Sequence, residues 1–387
     1  MNNFKYNIPT NVFFGENSIE NLGSEIDKYS HNILIVYGSQ RIKTSGLFDK
    51  VTEELEKFNI TYKELSGIKP NPDIESVRDG IKIMDENNLD FVLAVGGGSV
   101  IDAAKGITAG AASGIDPWKF CIREGSVEKA FPLATILTLA ATGSEMNGNS
   151  VISNEETKEK LYFGSDLVRP VFSILDPTLM YTLPKNQTAA GAVDIFTHVA
   201  EQYFDKTDSA GVSDRISEAI MKTCIQYGRT AIDEPENYEA RANLMWASSL
   251  ALNGLISYGK SGGDWATHNI EHELSAAYDI THGLGLAIIL PQWMKYNLDD
   301  ESADRFAMFA ENVFNIQMKD KLEQAKAGIK ATTDFFKSLD VESTLSEIGI
   351  DDSQFDHMAK QAVQFGNIGG FRSLDANDIK EIYKMAL

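Results

Sequence analysis

Along the first half of the chain, short apolar and β-branched runs alternate with longer segments of helical period. Ile33–Tyr37 (ILIVY), Phe91–Val95 (FVLAV), Leu133–Leu137 (LATIL) and Phe172–Leu175 (FSIL) are almost continuously apolar, the pattern of strands buried on both faces. Ile60–Leu65 predicts another strand, closed by the turn Pro70-Asn71-Pro72. Helical patterning fills the gaps, to about Phe58 after the ILIVY run and over Ile74–Asn87 before FVLAV. Strands alternating with helices predict a mostly parallel sheet covered on both faces. After Leu183-Pro184 the period changes to that of helices, over Ala189–Phe204, Arg215–Asp233, Asn237–Leu255 and Asp320–Ser338. Eight of the ten prolines lie at or before Pro184, leaving Pro235 and Pro291 for the rest, and helix interiors exclude proline. The expected organisation is therefore an α/β domain over 1–184 and an all-α domain over 185–387, without internal repeats or low-complexity segments.

Composition narrows the partners. A chain of 387 residues suits two domains, and 43% hydrophobic residues suffice for sizeable cores. Lys and Arg total 35 against 56 Asp and Glu, a formal net charge of -21. Such a surface repels polyanions, so nucleic acid and anionic membranes are not expected partners. Two cysteines, Cys121 and Cys224, are too few for a disulfide framework. The start MNNFKYNIPT lacks a signal-peptide pattern, and no run approaches the ~18 apolar residues of a membrane helix. A cytoplasmic location is expected. Any phosphate-bearing ligand must be held by a local device.

That device is offered by Gly96-Gly97-Gly98-Ser99, directly after FVLAV and directly before the helical stretch Val100–Ala109. Three glycines let a ligand approach the backbone, and a helix N-terminus supplies free N–H groups. The dinucleotide fingerprint G-x-G-x-x-G is incomplete, because Ile101 stands at its third glycine. A bare strand-to-helix turn, with Ser99 and Asp102 forming a capping box, is the plainer alternative. A second polar stretch, Thr138 to Glu145 (TLAATGSE), follows the LATIL strand. There it suits either an ordinary loop or a site at the carboxyl ends of a parallel sheet.

Histidine placement is the stronger signal. Three of six histidines, His268, His272 and His282, fall within fifteen residues, and His198 follows Asp194 by four. An i, i+4 pair projects from one helical face, so Asp194 with His198, and His268 with His272, can each reach a common point. One carboxylate with several imidazoles suits Fe2+ or Zn2+ rather than calcium or magnesium. Singly, each histidine is more often a packed or surface residue; together they favour a metal site. His31 and His357 lie in polar surroundings.

The combined motifs resemble the iron-containing alcohol dehydrogenase family, in its butanol dehydrogenase-like branch. The resemblance rests on Phe14-Gly15, Pro70-Asn71-Pro72, GGGSVIDAAKG at 96–106, ATGSEMN at 141–147, Lys160, LDP at 175–177, DIFTHVAEQYF at 194–204, WATHNIEHEL at 265–274 and His282. It implies the fold shared by that family and dehydroquinate synthase, with an N-terminal dinucleotide-binding domain and a helical metal-binding domain. It implies metal ligands at Asp194, His198, His268 and His282. His272 then stands near the metal, as a proton relay or as an orienter of a ligand. Catalysis would rest on His268 through the ion and on His272. The dinucleotide would lie along Gly96, Gly97, Gly98, Ser99, Asp102, Thr138, Thr142, Asn147 and Lys160, with Gly38 and Ser39 at its ribose end. Many NAD-using relatives carry Asp after the first long strand, to accept from the ribose 2′-hydroxyl. Here Tyr37 is followed by Gly38-Ser39-Gln40-Arg41, so no carboxylate repels a 2′-phosphate, and Ser39, Arg41 or Lys43 could bind one. NADP(H) is thus expected over NAD. The family's Pro-His-Gly is Thr281-His282-Gly283, which keeps the ligand and alters the loop before it. The resemblance also implies a homodimer acting on a small alcohol or aldehyde such as butanol or butanal.

Two other functions share parts of this pattern. A lyase resembling dehydroquinate synthase needs basic side chains for a phosphorylated, carboxylated substrate, and the His-bearing segments 194–204 and 265–283 hold no Lys or Arg. A nucleotide- or metal-responsive binding protein without turnover would share the motifs and differ only in lacking aldehyde reduction.

Overall fold

The computed structural model describes residues 1–387 except Asp208. It divides into two compact units, Asn7–Thr182 and Leu183–Leu387, the latter joined by Met1–Tyr6. The first six residues, expected with the α/β domain, thus belong to the helical unit. There the Asn2 amide donates to the Gly259 carbonyl at 2.9 Å, and the rings of Phe4 and Tyr6 each lie 5.2 Å from that of Tyr258.

In the Asn7–Thr182 unit the strands are β1 (Asn11–Phe14), β2 (Asn32–Tyr37), β3 (Thr61–Leu65), β4 (Phe91–Gly96), β5 (Leu133–Leu137), β6 (Asn149–Asn154), β7 (Glu159–Gly164) and β8 (Phe172–Leu175). Six of them form a parallel sheet in the order β1-β8-β5-β4-β2-β3, and β6 and β7 make a separate antiparallel hairpin. The helices are α1 (Leu22–Ile26), α2 (Arg41–Thr44), α3 (Leu47–Glu56), α4 (Ile74–Asn87), α5 (Gly98–Ser113) and α6 (Trp118–Cys121). Strand alternation explains why the central runs are wholly apolar. Ile33, Ile35, Phe91, Leu93 and Val95 share a core with Leu22, Ile26, Val51 and Leu55 of α1 and α3. The intervening Leu34, Val36, Val92 and Ala94 are equally buried on the opposite face, where α5 and α4 lie.

The chain runs from β2 outward to β3, then returns to β4 on the other side of β2, so the strand order reverses between β2 and β4. Open parallel sheets bind ligands outside the carboxyl ends of strands at such a switch point. Tyr37 pairs with Val95, which sets Gly38 and the Gly96–Ser99 turn side by side there.

The helical unit contains α7 (Lys185–Tyr203), α8 (Gly211–Asp233), α9 (Tyr238–Leu252), α10 (Ala266–Tyr278), α11 (His282–Asn297), α12 (Ala303–Phe314), α13 (Lys321–Ser338), α14 (Phe355–Ala362) and α15 (Ala376–Met385). Asn237, Asp320 and Asp375 cap α9, α13 and α15 by accepting from backbone amides of the first turn. Pro291 lies inside α11, contrary to the expectation that helix interiors here would be free of proline. One apolar core, with Val193, Phe196, Ile270, Leu274, Leu286 and Trp293 at 0% exposure, holds α7, α10 and α11 together. Those three helices carry all the histidines of the clusters. Cys121 and Cys224 are buried and unpaired. Among the described residues no helix is long and apolar enough to cross a membrane.

Candidate functional site

Asp194 and His198 sit one turn apart on α7, His268 and His272 one turn apart on α10, and His282 is the first residue of α11. The side chains of His198, His268 and His282 converge on Asp194. Its Oδ1 is 3.2 Å from His198 Nδ1, 3.7 Å from His268 Nε2 and 3.8 Å from His282 Nε2. Ligands about 2.1 Å from a tetrahedral ion stand roughly 3.4 Å from one another, so these spacings fit around one ion. Asp194, His268 and His282 offer ligand atoms all within 4.8 Å of one another. His198 is outside that mutual set and joins through Asp194 and through its ring, 4.4 Å from that of His268.

The donors also test whether a cation fits. Asp194 Oδ1, His198 Nδ1 and His268 Nε2 are buried and have no hydrogen-bond partner. Orphaned buried polar atoms are costly and rare, and three of them meeting at one point fit a divalent ion. Burial pushes His198 down to about 3, leaving it neutral as a ligand must be. Burial also works to lower His268, but the Glu201 charge, the hydrogen bond to Glu201 and the nearby Asp194 carboxylate outweigh it and raise the imidazole to about 10.

Two carboxylates absent from the sequence-based set complete the centre. Glu201 on α7 is hydrogen-bonded to His268 Nδ1, and its other oxygen accepts from the Thr267 amide at 2.6 Å. Glu271 on α10 is hydrogen-bonded to His282 Nδ1. A carboxylate on the far nitrogen of a ligating imidazole sets its tautomer and raises its basicity. The sequence did hold a signal, the repeated His-x-x-Glu of His198/Glu201 and His268/Glu271. His272 is half-buried, with its ring 5.6 Å from that of His282. Trp265, just before α10, has a left-handed backbone with φ of 65°, rare for a bulky residue. Its indole N–H donates to the Gly262 carbonyl at 2.6 Å, and its ring lies 5.5 Å from His268 and 6.2 Å from His198. Such strain concentrates at functional sites.

The dinucleotide candidates belong to the other unit. Gly96 ends β4, Gly97 is the N-cap of α5, and Gly98 and Ser99 open that helix. A Cβ on Gly98 would lie 2.4 Å from Thr142 Oγ1, so glycine there lets the turn press against the stretch after β5. Gly38, Ser99, Thr138 and Thr142 are half-buried and Ser39 is exposed, along the carboxyl edge of the sheet. The capping box expected of Ser99 and Asp102 does not form, because α5 starts earlier and has no side-chain cap. Asp102 instead accepts from Ser144 Oγ at 2.5 Å and the Val151 amide at 3.0 Å. Lys105, fully buried, donates to Ser144 Oγ at 2.6 Å, Asn147 Oδ1 at 3.0 Å and the Asn149 carbonyl at 2.6 Å. Burial lowers this ammonium to about 8. Asp102 and Asn147 are thus parts of an internal knot that ties α5 to the 142–151 segment, and Lys160 is buried beside them on β7.

At the ribose end one expectation needs correction. The loop after β2 has no carboxylate, but Glu64 on the adjacent β3 accepts from Lys43 Nζ and from the Tyr37 hydroxyl, both at 2.7 Å. Burial works to raise the Glu64 carboxyl, yet those two hydrogen bonds hold it below its ordinary value. Lys43 is therefore engaged, while Arg41 and Ser39 stand exposed.

Comparison with known proteins agrees across the chain. The profile of iron-containing alcohol dehydrogenases matches residues 9–177, and that of the Fe-containing alcohol dehydrogenase C-terminal region matches residues 188–387. The chain is 51% identical to NADH-dependent butanol dehydrogenase A of Clostridium acetobutylicum, with 99% of each chain covered. It is 40% identical to the NADPH-dependent aldehyde reductase YqhD of Escherichia coli, with all of each covered. The crystal structure of NADH-dependent butanol dehydrogenase A from Thermotoga maritima superimposes with a TM-score of 0.96 at 39% identity, covering 100% of this chain and 99% of that one.

Proposed function

Because the chain belongs to the iron-containing alcohol dehydrogenase family, we propose that it interconverts a small primary alcohol such as butanol with its aldehyde, exchanging hydride with a nicotinamide dinucleotide. The observation that carries this reading is the convergence of three imidazoles on Asp194, where Asp194 Oδ1, His198 Nδ1 and His268 Nε2 are buried without a hydrogen-bond partner. When bound, a divalent iron or zinc ion supplies Lewis acidity toward the substrate oxygen, and the nicotinamide supplies or accepts the hydride.

The remaining work falls to the chain. Asp194, His198, His268 and His282 hold the ion, and Glu201 keeps the His268 ring turned toward it. His272, half-buried with its ring 5.6 Å from that of His282, relays the proton of the substrate hydroxyl. Trp265 supplies an apolar wall that favours an alkyl chain and excludes water. The Gly96–Ser99 turn and the α5 N-terminus hold the pyrophosphate, which lets an acidic protein bind it. Thr138, Thr142 and Lys160 lie along the dinucleotide, while Asp102 and Asn147 act through the Lys105 knot that shapes the same edge.

NADP(H) is the proposed partner on the strength of Gly38-Ser39-Gln40-Arg41, where no carboxylate occupies the loop. The capture of Lys43 by Glu64 weighs the other way, as do the names of the butanol dehydrogenases above, which specify NADH. The proposal extends to a cytoplasmic homodimer without nucleic-acid or membrane partners, in keeping with reduced cysteines and a net charge of -21. The test is loss of reduced-nicotinamide absorbance with butanal after loading with Fe2+ or Zn2+. Turnover with NADPH is expected, and no decay with any of several aldehydes would refute the enzyme assignment.

A further inference from the structure

His282 is the most exposed of the three imidazoles around Asp194, with 23% of its side chain accessible against 9% for His268 and 5% for His198. Its ring is held less by packing than the other two, so its orientation needs a partner. Glu271, fully buried one turn beyond His268, is hydrogen-bonded through Oε2 to His282 Nδ1, and the Ser275 hydroxyl donates to Oε1 at 2.5 Å. The second observation comes from α11. A Cβ on Gly285 would lie 2.6 Å from Glu271 Cγ and 2.9 Å from its Oε1. Gly285 has no positive φ that would call for glycine, and glycine weakens a helix relative to alanine. Its absent side chain makes room for the Glu271 carboxylate.

We propose that Glu271 is a positioning residue for the metal: it holds His282 in the tautomer whose Nε2 faces Asp194, and Gly285 is glycine in order to admit it. The inference rests on reading Asp194, His198, His268 and His282 as a metal centre. Glu271, His272 and His282 also offer ligand atoms within 4.8 Å of one another, which would suit a second ion were Glu271 itself a ligand. The hydrogen bond to His282 Nδ1 favours the orienting role instead.

The test is Zn2+ binding to the full-length metal-free protein, measured by competition with a chromogenic chelator without dinucleotide or aldehyde, with circular dichroism of each variant. The wild type is expected to bind one ion per chain. Glu271→Ala should weaken binding by about 10- to 100-fold, the range for loss of such an outer partner, and Glu271→Gln by less, since its amide oxygen still accepts from Nδ1–H. Gly285→Ala should weaken binding in the wild type and add nothing in the Glu271→Ala background, a coupling that a merely structural role would not give. Should Glu271→Ala fail to fold, the isosteric Glu271→Gln and Gly285→Ala carry the test. Unchanged affinity in Glu271→Gln and Gly285→Ala would overturn the proposal. So would two ions per wild-type chain falling to one in Glu271→Ala, or additive losses. A wild type that binds no ion would instead overturn the metal-centre reading itself, and this inference with it.

Discussion

Glu201 reaches from α7 to the Nδ1 of His268 on α10, and so decides which nitrogen of that ring faces Asp194. Without an ion the imidazole sits between two carboxylates, which hold its protonated form up to about 10 against the opposing effect of burial. Near neutral pH the metal-free protein therefore carries a proton on His268 that an ion must displace from Nε2. Zinc binding should release about one proton per ion, and apparent affinity should rise roughly tenfold per pH unit through the neutral range. Calorimetry in buffers of different ionisation enthalpy measures this directly. The same shift stabilises the metal-free fold fully below the unfolded-state value of about 6.5, and that contribution is lost as pH rises toward about 10. A pH-independent affinity would refute the proton count.

Lys105 is the hub of the dinucleotide-side knot. Replacing it by methionine strands the buried Asp102 carboxylate and leaves Asn147 Oδ1 without its ammonium donor. Removing one partner of a buried pair costs about 3–5 kcal/mol. Lys105→Met should lower the urea midpoint accordingly and raise the Kd for dinucleotide, while zinc binding in the helical unit is unaffected. A wild-type midpoint would show that the knot contributes little.

Gly98→Ala should show how close the approach at the Gly96–Ser99 turn needs to be. Alanine near the start of a helix would ordinarily help, but here its Cβ meets Thr142 at 2.4 Å. Overpacking of this kind costs about 1–3 kcal/mol, which should appear as weaker NADPH binding by fluorescence titration. Unaltered affinity would separate the turn from the dinucleotide site.

Cofactor choice turns on Arg41 and on the Lys43–Glu64 pair. If Arg41 binds a 2′-phosphate, Arg41→Ala should cut kcat/KM for NADPH about tenfold or more, the worth of a charged hydrogen bond, and leave NADH nearly unchanged. Glu64→Gln should favour NADPH by freeing Lys43. Equal losses with both cofactors, or no loss with either, would remove the 2′-phosphate site.

The central strands were legible because burial on both faces leaves an uninterrupted apolar run; Leu133–Leu137 and Phe172–Leu175 are observed where the sequence places them. The edge strand β1 and the β6–β7 hairpin were not. Asn11–Phe14 is only four residues long and partly exposed. The hairpin turns through Lys158 at φ 56°, without the Asn-Gly or Asp-Gly pair that would announce it. The centre was half legible. Helical spacing puts Asp194 with His198 on one face, and the convergence of α7, α10 and α11 then joins the pairs. Spacing along one helix says nothing of which neighbouring helix it faces, so Glu201 and Glu271, whose partners lie on other helices, were missed. Asp102 misled for the same reason: its partners Ser144 and Val151 are over forty residues away, and sequence-local capping looked sufficient.

On the proposed function, an ion held on Asp194 is needed for hydride exchange with an aldehyde. The most direct measurement follows metal content and butanal-dependent oxidation of NADPH and NADH in one preparation. Both are read as purified, after chelation, and after restoring Fe2+ or Zn2+, with His268→Ala alongside. The expected result is about one ion per chain, with turnover that disappears and returns with the ion and a His268→Ala protein that has neither. Full turnover in metal-free protein, or normal metal content and normal reduction in His268→Ala, would contradict it.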